Sequence, residues 1–237
     1  MMDLSARSTQ EEHLDEFKGS QKELETVLKD INRVNQLLGG IHITSDAVFR
    51  MIKKKNKKTY TILDLGCSDG DMLRKLALRA RKGKIPMNFI GLDLNPDALA
   101  IAKDKSKAFP EICYLNQDVF TLEAIEVDIV ITTLTLHHFT NAQIPVFLER
   151  FINMAHIGVI INDLHRSRLA YSLFKVFSII FIKTSTAKHD GLISILKGFK
   201  KKELQAFSDL LPGIQYQISW KWAFRFLWIL TNRDEKI

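Results

Sequence analysis

Tyr60-Thr61-Ile62-Leu63-Asp64-Leu65-Gly66-Cys67-Ser68-Asp69-Gly70-Asp71 decides how this chain folds. An apolar run from Thr61 to Leu65 breaks at Gly66, crosses a short polar loop and resumes at Met72 with helical spacing. That order predicts a strand, a tight glycine turn and the start of a helix. Gly66 and Gly70 carry no side chain, so the backbone there can turn sharply and lie close to a ligand. The helix start presents free N–H groups and the positive end of its dipole. One strand later, Phe89-Ile90-Gly91-Leu92-Asp93-Leu94-Asn95 ends on Asp93, an acid placed to accept hydrogen bonds from the hydroxyls of a ribose. Asp93 separates this reading from the plainer one, a glycine turn without a ligand. The stretch reads as a nucleoside site.

Which nucleoside follows from the loop. A dinucleotide fingerprint wants G-x-G-x-x-G, but the middle position here is Ser68, and Asp69 and Asp71 at the helix start would repel phosphates. An anionic loop suits a ligand with positive charge and no phosphate. S-adenosylmethionine, with its sulfonium and ammonium groups, is such a ligand.

Ile62 to Leu73, then Gly91-Leu92-Asp93-Leu94-Asn95-Pro96, Leu115-Asn116-Gln117-Asp118-Val119-Phe120, and Val127-Asp128-Ile129-Val130-Ile131-Thr132-Thr133-Leu134-Thr135-Leu136-His137-His138-Phe139 occur in order. This set resembles the motifs of class I S-adenosylmethionine-dependent methyltransferases over roughly residues 60–162. The resemblance implies a Rossmann-like α/β fold and a cofactor site at Asp64, Gly66, Cys67, Ser68, Gly70, Asp93 and Leu94. It also implies that Asp118 accepts from the adenine amine while Val119 packs on the ring, and that Thr132 and Thr133 line the methionine part and the methyl path. The residues alone also allow Asp118 to be a turn or cap.

Around this core the composition is that of a soluble globular protein, 46% hydrophobic and 26% charged over 237 residues. The formal net charge of +7 comes partly from two basic runs, Lys53–Lys58 and Lys197–Lys202. Such runs are ordinarily solvated faces. With only Phe199 interleaved they lack the stacking aromatics of a single-strand binder, and nucleic acid is not expected as a partner. Cys67 and Cys113 offer neither a disulfide framework nor metal spacing. The first residues lack the apolar core of a signal peptide, which suggests a cytoplasmic protein.

Residues 9–54 read as helical, with Leu24, Val27, Leu28, Ile31, Val34, Leu37 and Leu38 forming one apolar stripe, Gly39-Gly40 as a C-cap and a second helix from Ser45. Residues 1–58 are expected to be a helical cap on a methyltransferase domain of residues 59–237. From Tyr60 strand and helix alternate, with strands near 60–65, 87–93, 112–116, 128–134 and 157–162 and helices near 70–81, 96–106 and 141–154. Two strands near the end predict a closing hairpin, giving seven strands, mostly parallel, the last antiparallel. Leu169 to Ile182 is too short to span a bilayer and reads as a buried or lid helix, with peripheral membrane contact as the second reading. Lys188-His189-Asp190-Gly191 is expected in a loop.

Asn162 to Tyr171, Lys188 to Phe199 and Trp220 to Phe226, with Asn32 to Gly40, look like a bacterial group of small-molecule methyltransferases often encoded beside type III polyketide synthases. They resemble ubiquinone/menaquinone-type methyltransferases more distantly. By that resemblance the acceptor is a hydrophobic small molecule, a phenolic or polyketide-derived lipid methylated on oxygen. Methylation on carbon of a quinone precursor and a non-catalytic nucleoside-binding protein are the alternatives. A phenol needs a base at neutral pH, and histidine commonly supplies it. His137, His138 and His165 are the candidates, with His189 beside Asp190 a fourth; His165 is favoured for its neighbours Asp163 and Arg166. A metal is not expected, because the fourth strand ends without an acid and Asp163 alone is too few oxygen ligands.

Overall fold

A computed structural model describes residues 3–53, 55–123 and 125–232. Lys54, one member of the first basic run, lies outside the described residues. The described residues build one seven-stranded sheet, flanked by helices on both faces.

The first five strands are β1 (Tyr60–Leu65), β2 (Met87–Asp93), β3 (Ile112–Asn116), β4 (Val127–Thr133) and β5 (Ala155–Leu164). They lie in the order β3-β2-β1-β4-β5 and pair in parallel. The hairpin β6 (Ile214–Lys221) and β7 (Arg225–Asn232) closes the sheet in the order β5-β7-β6, with β7 antiparallel to both neighbours. The expected fold class is the one observed. Because strand order reverses between β1 and β4, the carboxyl ends of these two strands open into a crevice.

Two apolar layers sandwich the sheet. On one face α2 (Gly40–Ile52) and α3 (Asp71–Gly83) cover Ile62, Phe89, Ile129 and Ile160; on the other α5 (Gln143–Met154) and α8 (Lys201–Asp209) cover Leu63, Val130, Val159 and Trp228. β1 and β4 are buried on both faces, as central parallel strands must be. At the foot of β4, buried Asp128 accepts from Thr61 N at 2.8 Å and pairs with Lys57, so this member of the first basic run is not a free surface charge. α4 (Pro96–Lys105) starts on Asn95, whose side chain caps Asp97 N and Ala98 N, with proline at the first helical position.

The N-terminal region departs from its expected form. Residues 9–19 are not helical; they cross the carboxyl end of the sheet as an extended strap with one turn. The N–H groups of His13 and Leu14 go to Asp190 at 2.8 and 2.9 Å, and Ser8 N goes to Leu196 O, so tertiary partners take donors a helix would have used. Helix α1 (Gln21–Leu37) begins at a capping box between Ser20 and Glu23. Its stripe packs inward except at Leu37, which is half exposed. Gly39, at φ +74°, follows α1 as expected, but Gly40 already opens α2, five residues before the predicted start.

The lid region is two helices, α6 (Arg168–Phe181) and α7 (Ser185–Lys197). Lys188 to Gly191, expected in a loop, lies inside α7, where Asp190 and Ala187 are buried. Lys197 also differs from its expected solvated state: it is buried 3.4 Å from Glu12.

Candidate active site

Beyond the carboxyl ends of β1, β2, β4 and β5 lies one cavity of about 960 Å³. A space of this size accommodates a nucleoside cofactor together with a small second ligand.

Its first half is built by the glycine loop. Gly66 N and Cys67 N both donate to Leu92 O, at 2.8 and 3.1 Å, which locks the loop to the end of β2. Gly66 holds φ +72°, and a Cβ there would meet the Thr135 side chain at 2.4 Å. Gly70 holds φ +73° and a Cβ would meet Tyr114 Oη at 2.1 Å. Both positions therefore require glycine.

Asp93 is fixed by backbone donors: Ser68 N to Oδ2 at 2.8 Å and Asn95 N to Oδ1 at 2.9 Å. Each oxygen keeps a lone pair for a hydroxyl of a ligand. Burial raises the Asp93 pKa despite those donors. Asp64 is fully buried and has no side-chain hydrogen bond among the described residues; burial, then the charge of Asp93, push its pKa well up. Two enclosed acids facing one cavity fit a ligand carrying a cation and hydroxyls, and a cation there would favour their ionised forms. Asp118 lines the same half, its Oδ1 taken by Phe120 N at 2.9 Å, with Val119 buried beside it and Leu94 largely exposed at the rim. Thr133 meets Thr44 across 2.9 Å, and Thr132 is buried next to it.

One expected contributor is absent. Asp69, expected to add to the loop's negative charge, is buried and turned to Asn32 at 2.9 Å and Lys105 at 3.0 Å, with Arg74 at 3.8 Å. Those cations match its charge, and of the acids in β1 and the glycine loop it is Asp64 and Asp71 that reach the cavity, beside Asp93 and Asp118.

The second half holds the histidines. His137 is buried; its Nδ1 is 2.7 Å from Asp163 Oδ1, its N–H donates to Asp163 Oδ2, and its Nε2 is 3.6 Å from Glu12. Burial would lower the His137 pKa, but Asp163 and Glu12 outweigh it and raise it to about 9. Glu12 is correspondingly held down at about 2, because His137, His138 and Lys197 outweigh its burial. His138, partly exposed to the cavity, lies 3.2 Å from Asp15.

Asp163 therefore belongs to His137 and not, as expected, to His165. Its oxygens are occupied by His137 and by Leu164 N. His165 packs against Phe226 with ring centroids 5.0 Å apart and does not line the cavity. His189 stacks on His13 at 3.9 Å and is also away from it. Sequence reasoning missed Glu12 and Arg225. Arg225 is buried in the cavity wall, and burial lowers its pKa to about 10, with Asp163 opposing. Its position opposite Leu164 in the β5–β7 pairing is visible only once the hairpin is built.

Glu12, His137 and His138 bring ligand-capable atoms within 4.8 Å of one another. With Lys197 3.4 Å from the same Glu12 and His137 already shared with Asp163, the group is arranged as an ion cluster.

Residues 62–158 match the family model described as a methyltransferase domain. The fold is that of the class I methyltransferases. No curated protein sequence matches the chain. Among solved structures, the plantazolicin methyltransferase BpumL in complex with a triazolic desmethylPZN analog and SAH is similar at 13% identity, covering 93% of this chain and 94% of that chain, TM-score 0.68. BpumL with a monoazolic analog and SAH gives 14% identity, 90% coverage of each chain and TM-score 0.66. Magnesium protoporphyrin IX methyltransferase (ChlM) from Synechocystis PCC 6803 with bound SAM gives 14%, 95% of this chain and 100% of that one, TM-score 0.59. The matched stretch spans the glycine loop, Asp93, Asp118 and both adjacent histidines, while the strap, α6, α7 and Arg225 lie outside it.

Proposed function

We propose that this methyltransferase uses S-adenosylmethionine to methylate a hydrophobic small molecule, with O-methylation of a phenolic or polyketide-derived lipid as the specific reaction. The observation that carries the reading is the single cavity in which Asp64, Asp93 and Asp118 stand at one end and His138 and the apolar side of α6 at the other. The structurally similar BpumL binds a monoazolic desmethylPZN analog together with SAH, and ChlM binds SAM.

Methyl transfer is a displacement at the sulfonium carbon, so the cofactor supplies the reactive group. The chain's own residues align it, exclude water and move a proton. Asp93 orients the ribose and Asp64 offsets the ammonium. His138 is the residue we assign as base. It faces the cavity and Asp15 orients its Nδ1 edge, whereas His137 already holds its proton at neutral pH. Leu173, Phe174 and Phe177 of α6 give the acceptor an apolar wall. The same helix exposes Leu169, Val176, Ile179 and Ile180, and residues 164–189 contain no acid, which supports peripheral contact with an anionic lipid surface. Among the described residues no helix is long and apolar enough to cross a membrane.

Methyl label from S-adenosylmethionine, followed into lipid, aqueous, protein and RNA fractions of a cell extract of the source organism, tests the reading. Label should enter the lipid fraction and be lost with Asp93→Ala, which should weaken SAH binding about 100-fold. Label in protein or RNA would sink the acceptor class, and unchanged SAH affinity in the variant would sink the pocket assignment.

A further inference from the structure

The charged groups of the acceptor half are matched with one exception. Glu12 faces His137 and Lys197, Asp15 faces His138, Asp163 faces His137, and Asp190 accepts the N–H groups of His13 and Leu14. Arg225 is left over. It is 1% exposed, makes no ion pair among the described residues, and its Nε and Nη1 have no hydrogen-bond partner there. Asn35 Oδ1, in the same cavity wall, is likewise enclosed without a donor.

The two groups are neighbours. A Cβ on Gly40 would lie 1.9 Å from Asn35 Oδ1 and 2.9 Å from the Arg225 guanidinium carbon, so both crowd the space that Gly40 leaves open. Asp163 acts on Arg225 only through space, its oxygens being taken by His137 and Leu164 N, and an enclosed guanidinium with free donors is a ready partner for an anion.

The sheet order says which ligand that anion belongs to. Asp93 ends β2 and Arg225 begins β7, with β1, β4 and β5 between them. Four strand spacings put them about 19 Å apart. The register places Arg225 opposite Leu164, two residues past Asn162, itself paired with Thr133 at the methyl path. Arg225 thus stands beyond the methyl path on the side away from the ribose acid.

We propose that Arg225, flanked by Asn35, is a subsite for a carboxylate on the acceptor, so that the substrate class is an amphiphilic acid whose apolar body lies along α6. This rests on the methyltransferase reading above and narrows it. The carboxylate is an anchor: the guanidinium holds it, and the methylated atom is the one presented at Thr133 and His138.

Calorimetric titration of the SAH-loaded protein with dodecanoate and with dodecanamide tests the subsite. The acid should bind about tenfold more tightly than the amide. Arg225→Met, close in shape and without charge, should erase that preference while SAH affinity stays as in the wild type, and Arg225→Lys should retain part of it. Equal binding of acid and amide to the wild type, or binding of neither, overturns the proposal. So does a preference that survives Arg225→Met. A fall in SAH affinity in that variant would assign the guanidinium to the cofactor and overturn it as well. If Arg225→Met does not fold, the acid–amide comparison in the wild type and Arg225→Lys decides. Failure of SAH to bind the wild-type protein is a separate result, striking the cofactor reading and not the subsite.

Discussion

The two halves of the cavity are held by different means. In the cofactor half, groups are fixed by backbone over short distances in sequence: Asp93 by Ser68 N and Asn95 N, the glycine loop by Leu92 O. In the acceptor half, side chains meet across most of the chain: His138 with Asp15 at a separation of 123 residues, Asp190 with His13 N at 177. The first half is a rigid cradle common to a large fold class. The second is a set of ion pairs and apolar side chains that can differ from one protein to the next without disturbing the sheet, as expected of sites placed on a shared scaffold.

If the halves are separable, damage to one should leave the other intact. His138→Gln should lower kcat by about 10²–10⁴-fold, the usual contribution of a positioned base, with SAH affinity unchanged. An equal loss of SAH binding would show that the division is false. A smaller effect is expected from pH. His137 is raised from 6.5 to about 9, so its contribution to stability is complete below about 6.5 and is lost as pH climbs through 9. Glu12 has the opposite sign: held near 2, it contributes above about 4.5 and fails only in acid. Thermal melts should therefore show a plateau between these limits, then a fall of roughly 2–4 °C per kcal/mol lost between pH 6.5 and 9. His137→Gln should flatten that alkaline limb, and a limb unchanged in the variant would assign it to another group. The least disruptive change is Leu173→Ser with Val176→Ser at the rim of the cavity on α6. Both residues are more than half exposed, so stability should move by no more than about 0.5 kcal/mol per site. KM for an apolar acceptor should rise roughly 3- to 10-fold with kcat held, and retention on anionic vesicles should drop. An unaltered KM would remove α6 from the acceptor wall.

The same division explains what could be read from the residues. β1, its glycine turn and the acid ending β2 are consecutive, so each signal stands next to the one that confirms it. The five parallel strands and the hairpin followed from the same local patterns. Asp69 shows where this fails even inside the motif: whether an acid faces the ligand or Lys105 depends on α4 packing beside the loop. The strap looked helical because its residues favour helix, and tertiary donors to Asp190 won. His165 looked better placed than His137 because Asp163 is two residues away in sequence, while its real partner arrives from the turn after β4. Arg225 carried no signal at all, since nothing in Arg-Phe-Leu-Trp announces a buried guanidinium.

The strap has a consequence for how the molecule is made. Arg7 donates to His137 O and Lys197 O, Ser8 N reaches Leu196 O, and Asp190 receives the strap's N–H groups. During synthesis the strap emerges before its anchors, which leave the ribosome 130 to 190 residues after it. Closing so long a loop costs little at equilibrium but delays the contact. A nascent chain that has finished β4 can already hold the glycine loop against β2, yet the N–H groups of His13 and Leu14 have no Asp190 to dock on until α7 is complete. The cofactor cradle should therefore mature before the wall that selects the acceptor.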